Sequence, residues 1–328
     1  VKVKVNVDQF VMDTRWREWL WHVRRKHKLA YCINRIQWYV YPKLLHVSDF
    51  PLHVDFEASS LCNMRCPMCF RPHRSDQNDG LMNFDLYKQA IDECVRYRLY
   101  SIRLSWRGEP TTHPQLIAMV RYAKQCGIRE VSFLTNCLKI EGAYAEELVR
   151  AGVDYISISV DGLHEDYNRI RKPATFDETV RRIRELRRLR DTVGRGLPLL
   201  KVNTVWSQVR GYAREYYETF SPLVDIISFN PDYDYSEIIT DIQATHICQY
   251  PYQRLTVKWN GDIPMCISDW DAEVILGSLR TESLHDIWRG PRLREIRQMH
   301  RAYKIKDLAP CRKCHRPVTE QVGNKRAV

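Results

Sequence analysis

The chain has 328 residues, 44% of them hydrophobic, which is enough for one large domain with an appendage or for two domains. It contains no run of about 18 apolar residues, which excludes a helical membrane span, and its N-terminal stretch lacks the charged, apolar and small-residue succession of a secretory signal. The net charge of +11 fits an anionic partner, whether a phosphate-bearing substrate, a nucleic acid, a lipid surface or an acidic redox protein, without choosing among them; residues 1–50 alone hold ten Lys and Arg against four acids.

Residues 14–29 read as a basic amphipathic helix. Trp16, Trp19, Leu20 and Val23 recur at helical spacing, and Arg15, Arg17, Arg24 and Arg25 lie on other faces. The segment reads either as an arm packed on the main domain or as a peripheral membrane or partner contact. From His53 the pattern alternates strand and helix. Strands are expected at His53–Ala58, Ser101–Trp106, Glu130–Thr135, Tyr155–Val160, Leu199–Val205 and Asp225–Phe229. Helices are expected at Phe84–Arg98, Gln115–Cys126, Gly142–Ala151, Phe176–Arg190 and Tyr212–Phe220. The six arginines of residues 176–190 read as a solvated helix face. Six such repeats predict a parallel sheet with helices outside it, curled by right-handed crossovers into a closed or partial barrel whose chemistry sits at the C-terminal strand ends. After residue 231 the repeat stops. Residues 246–314 read as a small metal-stapled module, with a hairpin across Arg254–Trp259, Asn260-Gly261 and Ile263–Cys266 and one helix over Ser283–Met299. The domain reading is an N-terminal arm at 1–50, a core at 51–231, a cysteine-rich module at 232–315 and a polar tail at 316–328.

Seven of the eleven cysteines fall into two groups with ligand-like spacing, and clustered cysteines in a reducing cytoplasm are more often metal ligands than disulfides. The first group, Cys62-Asn-Met-Arg-Cys66-Pro-Met-Cys69-Phe70, follows the first strand. Three thiolates wrap one corner of a [4Fe–4S] cube and leave the fourth iron open, the mark of a reactive rather than a structural site. A zinc ion held by the same thiolates and a histidine such as His73 is the plainer alternative. The C-x3-C-x2-C spacing with an aromatic after the last cysteine resembles the signature of the radical S-adenosylmethionine superfamily. The resemblance implies that Cys62, Cys66 and Cys69 hold the cluster, that its open iron binds S-adenosylmethionine, and that reductive cleavage yields a 5′-deoxyadenosyl radical that abstracts hydrogen from substrate. Trp106-Arg107-Gly108-Glu109-Pro110 is similar to the family's Gly-Gly-Glu-Pro segment, with Arg107 in place of the first glycine. Glu109 is then the partner of the cofactor ammonium, and Gly108 lets backbone approach the ligand. Thr135-Asn136 resembles the family's Thr-Asn-Gly turn, with Cys137 where glycine is usual. Ser159-Val-Asp161-Gly162 resembles a cofactor-holding segment, and Arg171 stands where a family arginine pairs with the cofactor carboxylate. Gly108, Glu109, Pro110, Asn136, Ser159, Asp161 and Arg171 are thus the expected cofactor contacts. Cys137 is a candidate hydrogen-atom donor, or else a small apolar turn residue.

The second group, Cys248, Cys266, Cys311 and Cys314, supplies four thiolates, enough to close a second cluster or a structural zinc. The order Cys248, Gly261-x4-Cys266, Leu276-Gly277-Ser278-Leu279, Leu284, Ile287-Trp288 and Cys311-x2-Cys314 resembles the SPASM/twitch extension. It implies one auxiliary [4Fe–4S] cluster, with His315 as a neighbour rather than a ligand. The fold expected is α/β, a partial (β/α)6 TIM-like barrel with a small C-terminal iron–sulfur module. The expected activity is radical chemistry on a small polar, anionic substrate: a sugar, an aminocyclitol or a nucleotide- or lipid-linked glycan undergoing dehydrogenation, epimerisation or deoxygenation. A flavodoxin- or ferredoxin-type electron donor and a cytoplasmic location go with it. A peptide-modifying maturase is the alternative within the family, and a zinc-stapled nucleic-acid-binding protein is the alternative outside it.

Overall fold

The structure is a computed structural model; it describes residues 3–6, 9–12, 27–75, 78–194, 196–230 and 247–314. The chain enters through β1 (Val3–Asn6), β2 (Gln9–Met12) and α1 (Lys28–Lys43). Six repeats follow: β3 (His53–Phe56), α2 (Phe84–Arg96), β4 (Ser101–Arg103), α3 (Leu116–Cys126), β5 (Glu130–Thr135), α4 (Gly142–Ala151), β6 (Tyr155–Ser159), α5 (His164–Ile170), α6 (Phe176–Val193), β7 (Leu199–Val205), α7 (Ala213–Phe220) and β8 (Ile226–Asn230). The C-terminal part holds β9 (Arg254–Val257), β10 (Asp262–Pro264), β11 (Ile275–Ser278), α8 (Leu284–Arg289), α9 (Pro291–Arg301) and α10 (Ala309–Arg312). The main sheet runs β1-β2-β8-β7-β6-β5-β4-β3-β9. Strands β3 to β9 are parallel, and the β1–β2 pair joins antiparallel on the β8 edge.

Period-two alternation makes this sheet two-faced. Val54, Phe56, Ile102, Val131, Phe133, Ile156, Ile158, Leu200, Val202, Ile227, Phe229, Leu255 and Val257 are buried on the face that the helices cover. In register on the other face lie His53, Asp55, Ser101, Arg103, Ser157, Ser159, Lys201, Asn203, Ser228, Arg254 and Thr256. Asp55 ties three strands together there, with Arg103 Nε at 2.8 Å, Arg254 Nη1 at 3.2 Å and His53 Nε2 at 3.2 Å. Burial opposes ionisation of Asp55, but Arg103, Arg254 and His53 together hold its carboxyl well below the usual carboxylate range.

Four expectations need correction. The Asn260-Gly261 reversal forms, with Lys258 N donating to Asp262 O at 2.8 Å, but its arms part instead of forming a ladder. β9 pairs parallel with β3, and β10 pairs with β11. The C-terminal module therefore contributes a seventh parallel strand to the barrel sheet. The helix expected over Ser283–Met299 is two helices, because Gly290 is extended (φ −66°, ψ 166°) and Pro291 has no N–H to continue the first. The arm at 1–50 is not simply helical. Its described strands β1 and β2 belong to the barrel sheet, and Val1-Lys2-Val3-Lys4-Val5 carries the alternating signal that marks them. Residues 14–26, His315 and the tail at 316–328 lie outside the described residues. Lastly, the arginine-rich face of α6 is not wholly solvated: Arg182 and Arg190 are buried, and Arg190 Nη1 binds Asp225 at 2.6 Å.

Candidate active site

The loop after β3 carries the first cysteine group. Cys66 is buried, and Cys62 and Cys69 are half-buried; none of the three is in a disulfide. Burial raises all three thiols, and each feels the charge of a neighbour in the trio. Clustered sulfurs in such surroundings ionise readily only beside a cation, as iron would provide.

The next strand ends are fastened to this loop. Gly108 lies so close to the chain at Ser59–Leu61 that a Cβ would come within 2.3 Å of Ser59 O and 2.5 Å of Leu61 O. The glycine therefore serves a close approach of backbone to the cysteine loop, and Glu109 N donates to Leu61 O at 2.7 Å. Pro110 opens the buried turn that follows. The Glu109 carboxylate accepts from Thr111 N (3.1 Å), Thr111 Oγ1 (2.7 Å), Thr135 Oγ1 (2.7 Å) and Asn136 N (2.7 Å). Burial raises its pKa and these donors offset part of the rise. Among the described residues no basic side chain pairs with it. Nearby, the buried hydroxyl of Tyr144, which feels the Glu109 charge, has no hydrogen-bond partner. An uncompensated carboxylate and an orphaned hydroxyl fit a polar, cationic ligand group such as the cofactor ammonium.

Asn136 Nδ2 donates to Asn63 Oδ1, inside the cysteine motif, at 2.7 Å. Ser159 ends β6 on the polar face, in register with Asn203. Asp161 has both oxygens engaged within the chain. Oδ1 accepts from Val205 N (2.7 Å) and Thr204 Oγ1 (3.1 Å), and Oδ2 from both Nη2 and Nε of Arg171, the latter at 2.7 Å. The Arg171 charge in turn favours the Cys66 thiolate, against burial. Asp161 thus aims Arg171 at the cysteine loop, whereas the nearby Arg169 is exposed and pairs with Asp166 at 3.0 Å. Cys137 follows in the same turn as Asn136, its N donating to Thr135 Oγ1 at 3.0 Å. Its φ of +65° explains why glycine suits the position. Its thiol is fully buried in the apolar core, and burial and the Glu109 charge push it up to about 12.

Sequence reading missed how the second module closes over the first loop. Arg107, the departure from Gly-Gly-Glu-Pro, forms a fully buried two-pronged pair with Glu57, Nε to Oε1 at 2.7 Å and Nη2 to Oε2 at 3.0 Å. Its Nη1 donates to Trp270 O at 3.1 Å. Trp106 Nε1 donates to Ile267 O at 2.8 Å. Phe70, directly after Cys69, stacks on Trp270 with ring centroids 5.0 Å apart. Ser75 N donates to Asp271 Oδ1 at 2.8 Å. Opposite charges at adjacent strand ends, Glu57 and Arg107, were the available signal.

The second group is of another kind. Cys248, Cys266, Cys311 and Cys314 line one cavity with Tyr250, Pro251, Met265, Ile305 and Pro310. Burial, then mutual charge, raises the Cys266 and Cys311 thiols strongly. Four sulfurs from three chain segments around a shared, largely apolar cavity suit a fully ligated cluster.

Comparison with known proteins agrees. Residues 57–206 match the family model of the radical SAM superfamily, and residues 248–315 match that of the SPASM iron–sulfur cluster-binding domain. A tungsten-containing aldehyde ferredoxin oxidoreductase cofactor-modifying protein of Pyrococcus furiosus is 25% identical over 306 residues, 78% of this chain and 85% of that one. An AdoMet-dependent heme synthase of Methanosarcina barkeri is 30% identical over 147 residues, and this match spans only 42% of that protein. The solved structure of native anSMEcpe with bound AdoMet shares the fold, with a TM-score of 0.60 at 16% identity over 81% of this chain and 90% of that one. The zinc-stapled alternatives fall with this match. The chain is a member of the radical S-adenosylmethionine superfamily with a C-terminal SPASM-type domain, and so an enzyme of S-adenosylmethionine, a [4Fe–4S] cluster and auxiliary iron–sulfur chemistry.

Proposed function

We propose that this enzyme abstracts hydrogen from a small polar substrate held against the inner face of the barrel, in an oxidoreductase- or isomerase-type reaction. The polarity of that face supports the reading above all else. Below the cysteine loop, Ser157, Ser159, Lys201, Asn203 and Ser228 are buried in register, with Ser228 Oγ donating to Asn203 Oδ1 at 2.8 Å. A surface rich in buried donors and acceptors selects hydroxyl-bearing or anionic compounds over apolar ones. The P. furiosus relative, a cofactor-modifying protein by name, points the same way.

Cys62, Cys66 and Cys69 would hold the cluster that, when reduced, delivers the electron for cleaving S-adenosylmethionine. Glu109 and the β5 end at Asn136 would orient the cofactor's amino end, Ser159 its other polar groups, and Arg171, aimed by Asp161, its carboxylate. The four cysteines of the C-terminal module would hold a single auxiliary [4Fe–4S] cluster. Cys137, facing the apolar core, fills space in the turn. A flavodoxin- or ferredoxin-type donor, acidic against the +11 charge of this chain, would reduce it in the cytoplasm.

The test is anaerobic reconstitution with reductant and S-adenosylmethionine, followed by 5′-deoxyadenosine. Cleavage stimulated by a low-molecular-weight metabolite fraction is expected. Stimulation by a peptide fraction alone would replace the substrate reading with a peptide maturase, and zinc without iron in the protein would end it.

A further inference from the structure

Helix α1 is built to sit between two unlike environments. Its inner face seats against the N-terminal ends of the barrel strands. Asn34 Nδ2 donates to Leu52 O at 3.4 Å, and the Trp38 carbonyl accepts from Gln253 Nε2 at 2.8 Å. The Trp38 ring stands edge-on to His53, with Arg254 4.9 Å over it. Its outer face exposes Leu29, Ile33, Ile36, Tyr39 and Val40, and Leu44 just past its end, at spacings of three and four. Leu29 is 75% exposed, Ile36 61% and Leu44 70%. Scattered exposed apolar residues are ordinary; six in one stripe of a single helix are not.

The charges within and before the helix are predominantly of one sign, although Asp49 lines the groove beside Ile33 and Gln37. Residues 28–43 contain Lys28, Arg35 and Lys43 and no Asp or Glu. The preceding residues 15–26 add Arg15, Arg17, Arg24, Arg25 and Lys26 against Glu18 alone, interleaved with Trp16, Trp19 and Trp21. An apolar stripe on a helix that bears lysines and no acids, preceded in sequence by a basic, tryptophan-rich segment, complements a negatively charged lipid–water boundary.

We propose that α1 docks this chain in-plane on an anionic phospholipid surface. The helix lies at the N-terminal ends of β3 and β9 and the cysteine loop at the C-terminal end of β3, so docking turns the reaction site away from the bilayer. The enzyme is then held at a membrane while drawing its substrate from water, which sets aside a lipid-linked substrate. The docking is independent of the reaction proposed above.

The test is co-sedimentation of the full, reconstituted chain with vesicles of phosphatidylcholine alone or containing about a third phosphatidylglycerol. Binding to the anionic vesicles, largely released by about 0.5 M salt, is expected. The double substitution Ile36→Asp with Val40→Asp, at positions already exposed, should lower partitioning at least about tenfold while circular dichroism, iron content and uncoupled S-adenosylmethionine cleavage stay unchanged. Equal recovery from both vesicle types, or no pelleting, overturns the proposal. Sedimentation velocity then identifies the true occupant. A dimer broken by the double substitution means that a second copy covers the stripe. A monomer that binds a hydrophobic dye only after residues 13–26 are replaced by a glycine–serine linker means that the chain covers it itself.

Discussion

The two cysteine groups of this chain use the same ligand atom for opposite ends. The first offers three sulfurs on one loop, partly accessible, with the polar side chains Glu109, Asn136, Tyr144 and Arg171 nearby. The second offers four sulfurs from three separate segments, walled largely by Met265, Ile305 and proline rings, with Ser268 and His300 also lining it. A site with three ligands and a polar surround would be prepared to take a further molecule; a site with four ligands and a largely apolar wall would be prepared to exclude one. On the function proposed above, ligand count and lining would separate the reacting centre from the auxiliary one.

The largest expected effects test this contrast directly. Cys66→Ala should abolish 5′-deoxyadenosine formation while iron and sulfide at the four-cysteine site persist; retained cleavage would break the contrast. Cys311→Ala with Cys314→Ala should do the reverse, leaving uncoupled cleavage near the starting level while substrate conversion disappears, as read by product assay and iron content. Next comes the seam between the two sites. Arg107→Leu strands the buried Glu57 carboxylate, and stability in urea should fall by about 3–5 kcal/mol, with part recovered when Glu57→Gln is added. Full additivity of the two would show that the pair does not couple the regions.

The smallest effect concerns the barrel floor. Burial lowers the pKa of His53 below its ordinary 6.5, and the charge of Asp55 restores only part. The folded chain therefore resists protonating His53 while the unfolded chain accepts the proton. Stability should fall as pH drops from 7.5 through 6.5 toward 5.5, by at most about 1.4 kcal/mol per pH unit. His53→Gln should flatten that slope in urea denaturation, and an unchanged slope would place the titration elsewhere.

Local pattern made much of this legible. The bounds of β5, α4 and β7 coincide with those expected from periodicity, since each has a strong repeat closed by a turn residue. The cysteine spacings pointed to the two family models that the chain matches. Pairings across long stretches of chain were not legible. Nothing near Arg254 reveals that it meets Asp55, 199 residues earlier, or that β9 runs parallel to β3. Asn260-Gly261 signals that the chain turns, not what its arms then pair with. Nor did the motif show that Asp161 would be spent on Val205, Thr204 and Arg171; a carboxylate at a strand end looks the same whether it faces ligand or backbone.

The stacking of Phe70 on Trp270 and the seating of β9 beside β3 have a bearing on how the protein is made. A ribosome finishes the three-cysteine loop long before it delivers the segment that fastens it. Until β9 arrives, β3 is an unpaired edge of the nascent sheet, and a cluster loaded at the loop would lack the cover that Trp270 gives. Maturation factors would accordingly meet their best substrate only once β9 has seated beside β3 and Trp270 has covered Phe70.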